Sequence, residues 1–225
     1  MVLRELLAPA GSYDILVVAI NAGADAVYIA GHRYGARAFA QNFTSEEIEK
    51  AVRYAHLNGA SIHVTVNTLF NSGEILEVLK YVQFLYRIGV DAVIVQDIGL
   101  VYLLNKYIPE MEVHSSTQMT LRDYNSILWA KDEGIKRIIL PREMEIDEIS
   151  SINNRLKKDK IKMDLEVFGH GSLMKPFPAA ASQEKTHVKN WRFKRYLAPL
   201  MRPTKFPDIP VSLERNTEVF RHHFL

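Results

Sequence analysis

Apolar and polar positions along the chain follow two rhythms that take turns. Stretches with apolar residues every three or four positions (13–22, 45–58, 74–88 and 120–133) each close on a glycine, and a short aliphatic run follows at once. Gly23-Ala24-Asp25-Ala26-Val27-Tyr28-Ile29, Gly89-Val90-Asp91-Ala92-Val93-Ile94-Val95 and Gly134-Ile135-Lys136-Arg137-Ile138-Ile139-Leu140 share this phrase, and Gly59-Ala60-Ser61-Ile62-His63-Val64 is a looser copy. The glycines suit helix C-termini, where the chain must adopt a left-handed conformation. Ser45, followed by Glu46, Glu47 and Ile48, predicts an N-cap with an acidic first turn. Strands are predicted near 4–8, 25–30, 61–67, 91–96, 111–115, 137–141 and 162–169. Strands alternating with helices imply parallel pairing and right-handed crossovers. No Gly-rich phosphate loop follows a strand, which favours a TIM-like (β/α) barrel over an open doubly wound sheet. With about seven recognisable strands instead of eight, the barrel is expected to be incomplete.

The rhythm stops after residue 171, which divides the chain into a barrel domain at 1–171 and a tail at 172–225. Six of the nine prolines (176, 178, 199, 203, 207, 210) lie in that tail. From 171 onward ten Lys and Arg stand against four Asp and Glu, whereas residues 1–170 carry 18 against 22. An irregular, Pro-rich, basic and partly ordered tail is expected, with 209–213 as a last strand and 213–220 as a short helix. Within it Lys189-Asn190-Trp191-Arg192-Phe193-Lys194-Arg195-Tyr196 interleaves cations with aromatics, a pattern that suits stacking on bases and neutralising phosphates or, equally, lying on the protein's own surface. No apolar run approaches the roughly 18 residues of a membrane span, and the first residues lack a secretory pattern, so a cytoplasmic protein without membrane contact is expected. The chain has no cysteine, which removes disulfides, thiol nucleophiles, Cys-bound zinc and ordinary iron–sulfur ligation.

Chemistry in a parallel barrel gathers where strands end. Those ends offer Asn67, Asp97, His114 with Gln118, Arg142 with Glu143, and Glu166 with His170, the candidate ligand-binding residues. Two-residue alternation sharpens the assignment, because helices must cover the apolar face of each strand. Ile62, Val64 and Val66 then face outward while His63, Thr65 and Asn67 face inward; Leu165 and Val167 face outward while Asp164, Glu166, Phe168 and His170 face inward; Glu112 and His114 face inward as well. Each has a plainer reading: His63 as a hydrogen-bonded core histidine, Asp97 as the N-cap of a helix starting near Ile98, Arg142 and Glu143 as caps of the next helix. No HExxH-like spacing supports a metal on His114, His170 and a carboxylate, so no metal is expected. Ser115 and Ser116 neighbour His114, but adjacent strand side chains point oppositely and no nucleophile elbow surrounds them. Catalytic residues therefore stay unassigned.

The ordered series Glu5-Leu6-Leu7-Ala8-Pro9-Ala10-Gly11, Gly23 to Tyr28, Ala36-Arg37 with Asn42-Phe43, Val66-Asn67-Thr68, Ser116-Thr117-Gln118, Arg142-Glu143 and Glu166-Val167-Phe168-Gly169-His170-Gly171 resembles the U32 peptidases, the collagenase-like protease family, over residues 3 to 173. The resemblance implies a barrel-like domain and a nominal peptidase or hydrolase with unestablished catalytic residues, binding a peptide or small molecule at its mouth. It equally implies hydroxylation of RNA bases or of a ubiquinone precursor, the activity of several relatives that hold an iron–sulfur cluster on cysteines. Where that cysteine pattern begins in the family, this chain reads His170-Gly171-Ser172-Leu173-Met174, so no cluster and no other cofactor is expected. A catalytically silent chain that pairs with a complete paralogue, as a hetero- or homo-oligomer, is the third expectation.

Overall fold

A computed structural model describes residues 5–36 and 42–169. Its elements run β1 (Leu7–Pro9), α1 (Tyr13–Asn21), β2 (Ala26–Ala30), α2 (Ser45–Leu57), β3 (Ser61–Val66), α3 (Ile75–Arg87), β4 (Ala92–Val95), α4 (Ile98–Tyr107), β5 (Glu112–Ser115), a 3₁₀ turn (Thr117–Met119), α5 (Tyr124–Asp132), β6 (Arg137–Ile139), α6 (Ile146–Lys158) and β7 (Asp164–Glu166). The four phrase glycines do what the sequence asks of them: Gly23, Gly59, Gly89 and Gly134 all have positive φ, between 73° and 97°. Each lets a helix end and a strand begin within two or three residues.

The seven strands form one parallel sheet in the order β1-β2-β3-β4-β5-β6-β7. The sheet is strongly curled. In a flat sheet β1 and β6, five strand spacings apart, would be separated by about 24 Å. Instead Arg137 of β6 contacts Glu5, just ahead of β1, at 2.5 Å. One contact across the concave side thus establishes the TIM-like curvature, built by seven strands among the described residues.

Helices roof the convex side. Val27 and Ile29, Ile62, Val64 and Val66, Val93 and Val95, Val113, Ile138, Leu140 and Leu165 join one buried cluster with Leu16, Ile48, Val52, Val82, Leu85, Leu100, Leu104 and Ile127 from the helices. Each such side chain stabilises the fold by roughly 1.5–3 kcal/mol on leaving water, which is why the greasy face of every strand turns outward. Among the described residues no helix is long and apolar enough to cross a membrane.

Local chemistry moves some predicted boundaries. The N-cap of α2 is Thr44 and not Ser45: Thr44 Oγ1 accepts from Glu47 N at 3.1 Å while Glu47 Oε2 accepts from Thr44 N at 2.8 Å, a reciprocal box that Ser45 cannot build. The helix expected from residue 120 starts at Tyr124. Thr120 takes a left-handed conformation (φ 55°), and Asp123 caps the new start through Asn125 N and Ser126 N. β1 and β7 are short, with pairing confined to Leu7–Pro9 and Asp164–Glu166. His170 and the tail at 172–225 lie outside the described residues.

Candidate functional site

The concave face is built by alternation. Ala26, Ala92, Ile94 and Ile139 are buried yet stand apart from the helix-packed cluster, so they line the inside. The polar residues of the same parity stand among them: His63 on β3, Glu112 and His114 on β5, Arg137 on β6, Asp164 and Glu166 on β7. Their geometry is specific. Arg137 grips Glu5 with two parallel bonds, Nη1 to Oε1 at 2.5 Å and Nη2 to Oε2 at 2.8 Å. Its Nη1 also lies 3.7 Å from Glu166 Oε2, and its Nη2 3.8 Å from Asp164 Oδ2, distances suited to ion pairing but too long for hydrogen bonds. Across from it His114 Nε2 meets Glu112 Oε1 at 2.8 Å, and the His63 and His114 rings meet edge to face, their centroids 4.8 Å apart.

Burial sets the protonation of this layer. His63 is 4% exposed, and burial together with neighbouring His114 pushes its pKa down to about 3, so the ring is neutral near pH 7. Burial pushes Glu166 up to about 7 despite the opposing pull of Arg137. Burial would also raise Glu5, but the bonds from Arg137 more than offset it and hold the carboxyl below its usual range. The hydrogen bond from His114 lowers Glu112 in the same way. In this layer three buried atoms, His63 Nδ1, His114 Nδ1 and Glu166 Oε2, have no hydrogen-bond partner among the described residues. Such atoms carry a desolvation cost that a ligand or water relieves.

At the mouth the predicted residues divide. Asp97 Oδ1 accepts from Leu100 N at 2.8 Å, capping α4 as the sequence predicts, and Oδ2 accepts from Phe70 N at 3.2 Å. Asn67 Oδ1 accepts from Ala36 N at 3.0 Å and ties the end of β3 to the loop after β2. Gln118 sits in the 3₁₀ turn, where its own N–H is held by Ser116 Oγ. Arg142 and Glu143 occupy the turn before α6, whose capping box is made by Glu145 and Glu148. Glu143 is exposed, while the Arg142 guanidinium lies over the Phe168 ring at 4.1 Å. The opposite rim is aromatic: Tyr34, itself at φ 66°, packs on Phe70 and Tyr81 with centroids 5.6 and 5.4 Å away.

The structure therefore brings His114 and Glu166 together in the interior, with Glu112, His63 and the Glu5–Arg137 pair, and leaves Asn67, Asp97, Gln118, Arg142 and Glu143 around the rim. Glu5 and Arg137 carry no assignment in the sequence reading, although alternation marks both: Ala8 and Ile138 belong to the helix-packed cluster, which turns Glu5 and Arg137 inward. No group of three metal-ligating side chains converges among the described residues. Nor do the described serines meet a histidine. Ser115 Oγ is buried without a partner, on the strand face opposite His114, and Ser116 Oγ is spent on the 3₁₀ turn.

Comparison with known proteins decides the family. The family model for peptidase family U32 matches residues 11–178. The chain belongs to peptidase family U32. It is 39% identical over 170 residues to the tRNA hydroxylation protein P1 of Bacillus subtilis, covering 75% of this chain and 39% of that protein. It is 40% identical over 169 residues to the 23S rRNA 5-hydroxycytidine C2501 synthase of Escherichia coli, covering 75% of this chain and 24% of that one. The chain thus spans well under half the length of these U32 relatives. A solved U32 peptidase superposes with a TM-score of 0.60 at 17% identity, covering 73% of this chain and 68% of the other, a likeness of fold.

Proposed function

We propose that this U32 chain is the RNA-binding barrel of a base-hydroxylation protein, and that the family's peptidase name does not describe its chemistry. The observation that carries this reading is how the interior groups are engaged. Peptide hydrolysis needs an activated nucleophile beside a base, an acid pair flanking a water, or a metal-bound water. Here the His114 Nε2 is engaged by Glu112, His63 is a neutral buried ring, and the Glu5 carboxylate is clamped by Arg137. These three groups orient and recognise, and Glu166 is held beside Arg137 with no serine or metal-ligating cluster around it among the described residues. The names of the Bacillus and Escherichia relatives support the same reading. So does the basic, aromatic-interleaved run from Lys189 to Tyr196, which offers charge for phosphates and rings for bases.

The iron–sulfur cluster implied by the resemblance does not fit this chain's donor set, because thioether and imidazole groups do not replace four thiolates and the sequence contains no cysteine. The chain's own part is then binding and positioning, at a barrel assigned to 1–171 that the basic segment follows in sequence, in the cytoplasm where tRNA and rRNA are found.

Filter binding of the full 225-residue chain to single-stranded RNA, across a salt series, tests this directly. Affinity is expected to fall linearly on a log–log plot, with a slope of about −0.7 for each phosphate neutralised. Release of peptides from gelatin together with no RNA retention overturns the reading in favour of the hydrolase.

A further inference from the structure

The rim of β6 and β7 holds an arrangement that neither barrel closure nor helix capping requires. The guanidinium carbon of Arg142, in the turn after β6, lies over Phe168, 4.1 Å from the ring centroid. Both residues are only partly buried. Leu165 and Val167 pack on the outer apolar cluster, so Glu166 and Phe168 share the inner face, about 7 Å apart along the chain by the rise of two extended residues. Glu166 Oε2 is buried, faces the interior and has no hydrogen-bond partner among the described residues.

We propose that Arg142 and Phe168 form a stacking plane for an unpaired nucleobase of single-stranded RNA, and that Glu166 reads that base's hydrogen-bonding edge. The proposal rests on the RNA-binding reading above and names the group that enters the barrel.

Three features select a base over other ligands. A guanidinium stacked on a ring leaves the outer faces of the two groups for a third planar group to extend the stack, and planar heterocycles stack on arginine and aromatic planes without regard to sequence. Glu166 Oε2, ion-paired with Arg137 at 3.7 Å but without a hydrogen-bond partner among the described residues, can take a polar group held in the plane of a ring, which a nucleobase carries and a phenylalanine or leucine side chain lacks. A carboxyl accepts from an exocyclic amino group, as acidic side chains do with cytosine N4, and in its protonated form also donates. A phosphate is disfavoured in the interior, because Glu5, Asp164 and Glu166 surround Arg137 and already neutralise it. Phosphates are left to cations outside the barrel while a single base turns inward.

A single-stranded RNA oligonucleotide containing 2-aminopurine tests this, since the fluorescence of that base is quenched when it stacks. The full chain is expected to quench it on binding. Phe168→Leu, which keeps most of the packing volume, and Arg142→Lys, which keeps the charge, are each expected to abolish most of the quenching and to weaken binding by about 5- to 150-fold, the range for loss of one stacked base. The salt dependence of Arg142→Lys is expected to match that of the parent chain, because no phosphate contact is removed. Glu166→Gln is expected to keep the quenching and change the preference among cytosine-, uracil- and adenine-containing oligonucleotides. Retention of RNA with quenching indifferent to Phe168→Leu and Arg142→Lys overturns this proposal and leaves the RNA-binding reading standing. Failure of the parent chain to bind RNA overturns both.

Discussion

Arg137 and Glu5 are 132 residues apart in the chain and meet through two parallel hydrogen bonds across the concave face of the sheet. The pair joins the segment ahead of the first strand to the sixth, so it stabilises curvature as well as charge. Removing one partner strands the other in a partly dry interior. Arg137→Leu is expected to cost about 3 kcal/mol, the low end for breaking a buried pair because a third of Glu5 is exposed, and Glu5→Gln less. Urea denaturation followed by circular dichroism measures both. An unchanged midpoint in Arg137→Leu shows that the curl is held by strand packing alone.

His63 and Glu166 give stability opposite dependences on pH. The His63 pKa falls from 6.5 unfolded to about 3 folded, so only the unfolded chain binds its proton between those values, and stability declines as pH drops from 6.5 toward 3. The Glu166 pKa rises from 4.5 to about 7, so the folded chain holds its proton there, and stability declines as pH climbs from 4.5 through 7. Each slope is at most about 1.4 kcal/mol per pH unit, and between 4.5 and 6.5 the two oppose. His63→Gln is expected to flatten the decline between pH 4.5 and 3, and Glu166→Gln the decline between 6.5 and 7. Melting curves at half-unit pH steps separate them. Parallel curves for the parent chain and both variants contradict the assignment.

Asp97 is a structural residue in this account. Asp97→Ala removes the α4 cap and the tie to Phe70 N together, with an expected cost of about 1–2 kcal/mol. RNA affinity is expected to change by less than the stability loss explains. A specific loss of binding in a fully folded Asp97→Ala chain returns Asp97 to the ligand site.

Gly31 is required by contact and not by backbone conformation. A Cβ there would collide with Tyr81 Oη, a buried hydroxyl without a hydrogen-bond partner among the described residues, whose pKa burial pushes up to about 12. Gly31→Ala is expected to cost about 1–3 kcal/mol by overpacking. Tyr81→Phe removes both the clash and the orphaned hydroxyl, so the double variant is expected to regain most of that loss. Strictly additive effects in a double-mutant cycle exclude the contact as the cause.

The convex half of this fold is legible in sequence, because burial against helices leaves a period-two aliphatic signal and four of the six described helices end at a glycine with positive φ. Alternation also turned His63, Glu112, His114 and Glu166 inward correctly. Glu5 and Arg137 escaped for a different reason: their pairing depends on the closing radius of the sheet, a long-range property with no local pattern. Asp97 illustrates the converse, since an acidic residue at a strand end satisfies both a cap and a ligand pattern, and its two backbone partners show that it caps. The Arg142–Phe168 stack likewise joins two loops 26 positions apart whose proximity follows from the β6–β7 register.

Mass spectrometry of nucleosides from tRNA and rRNA, comparing cells with this gene intact, deleted and restored, is the most direct test of the central claim. A hydroxylated nucleoside that disappears on deletion, returns with the intact gene, and fails to return fully with Phe168→Leu is the expected result. Identical hydroxylated-nucleoside levels in all three strains contradict the claim that this U32 chain serves RNA modification.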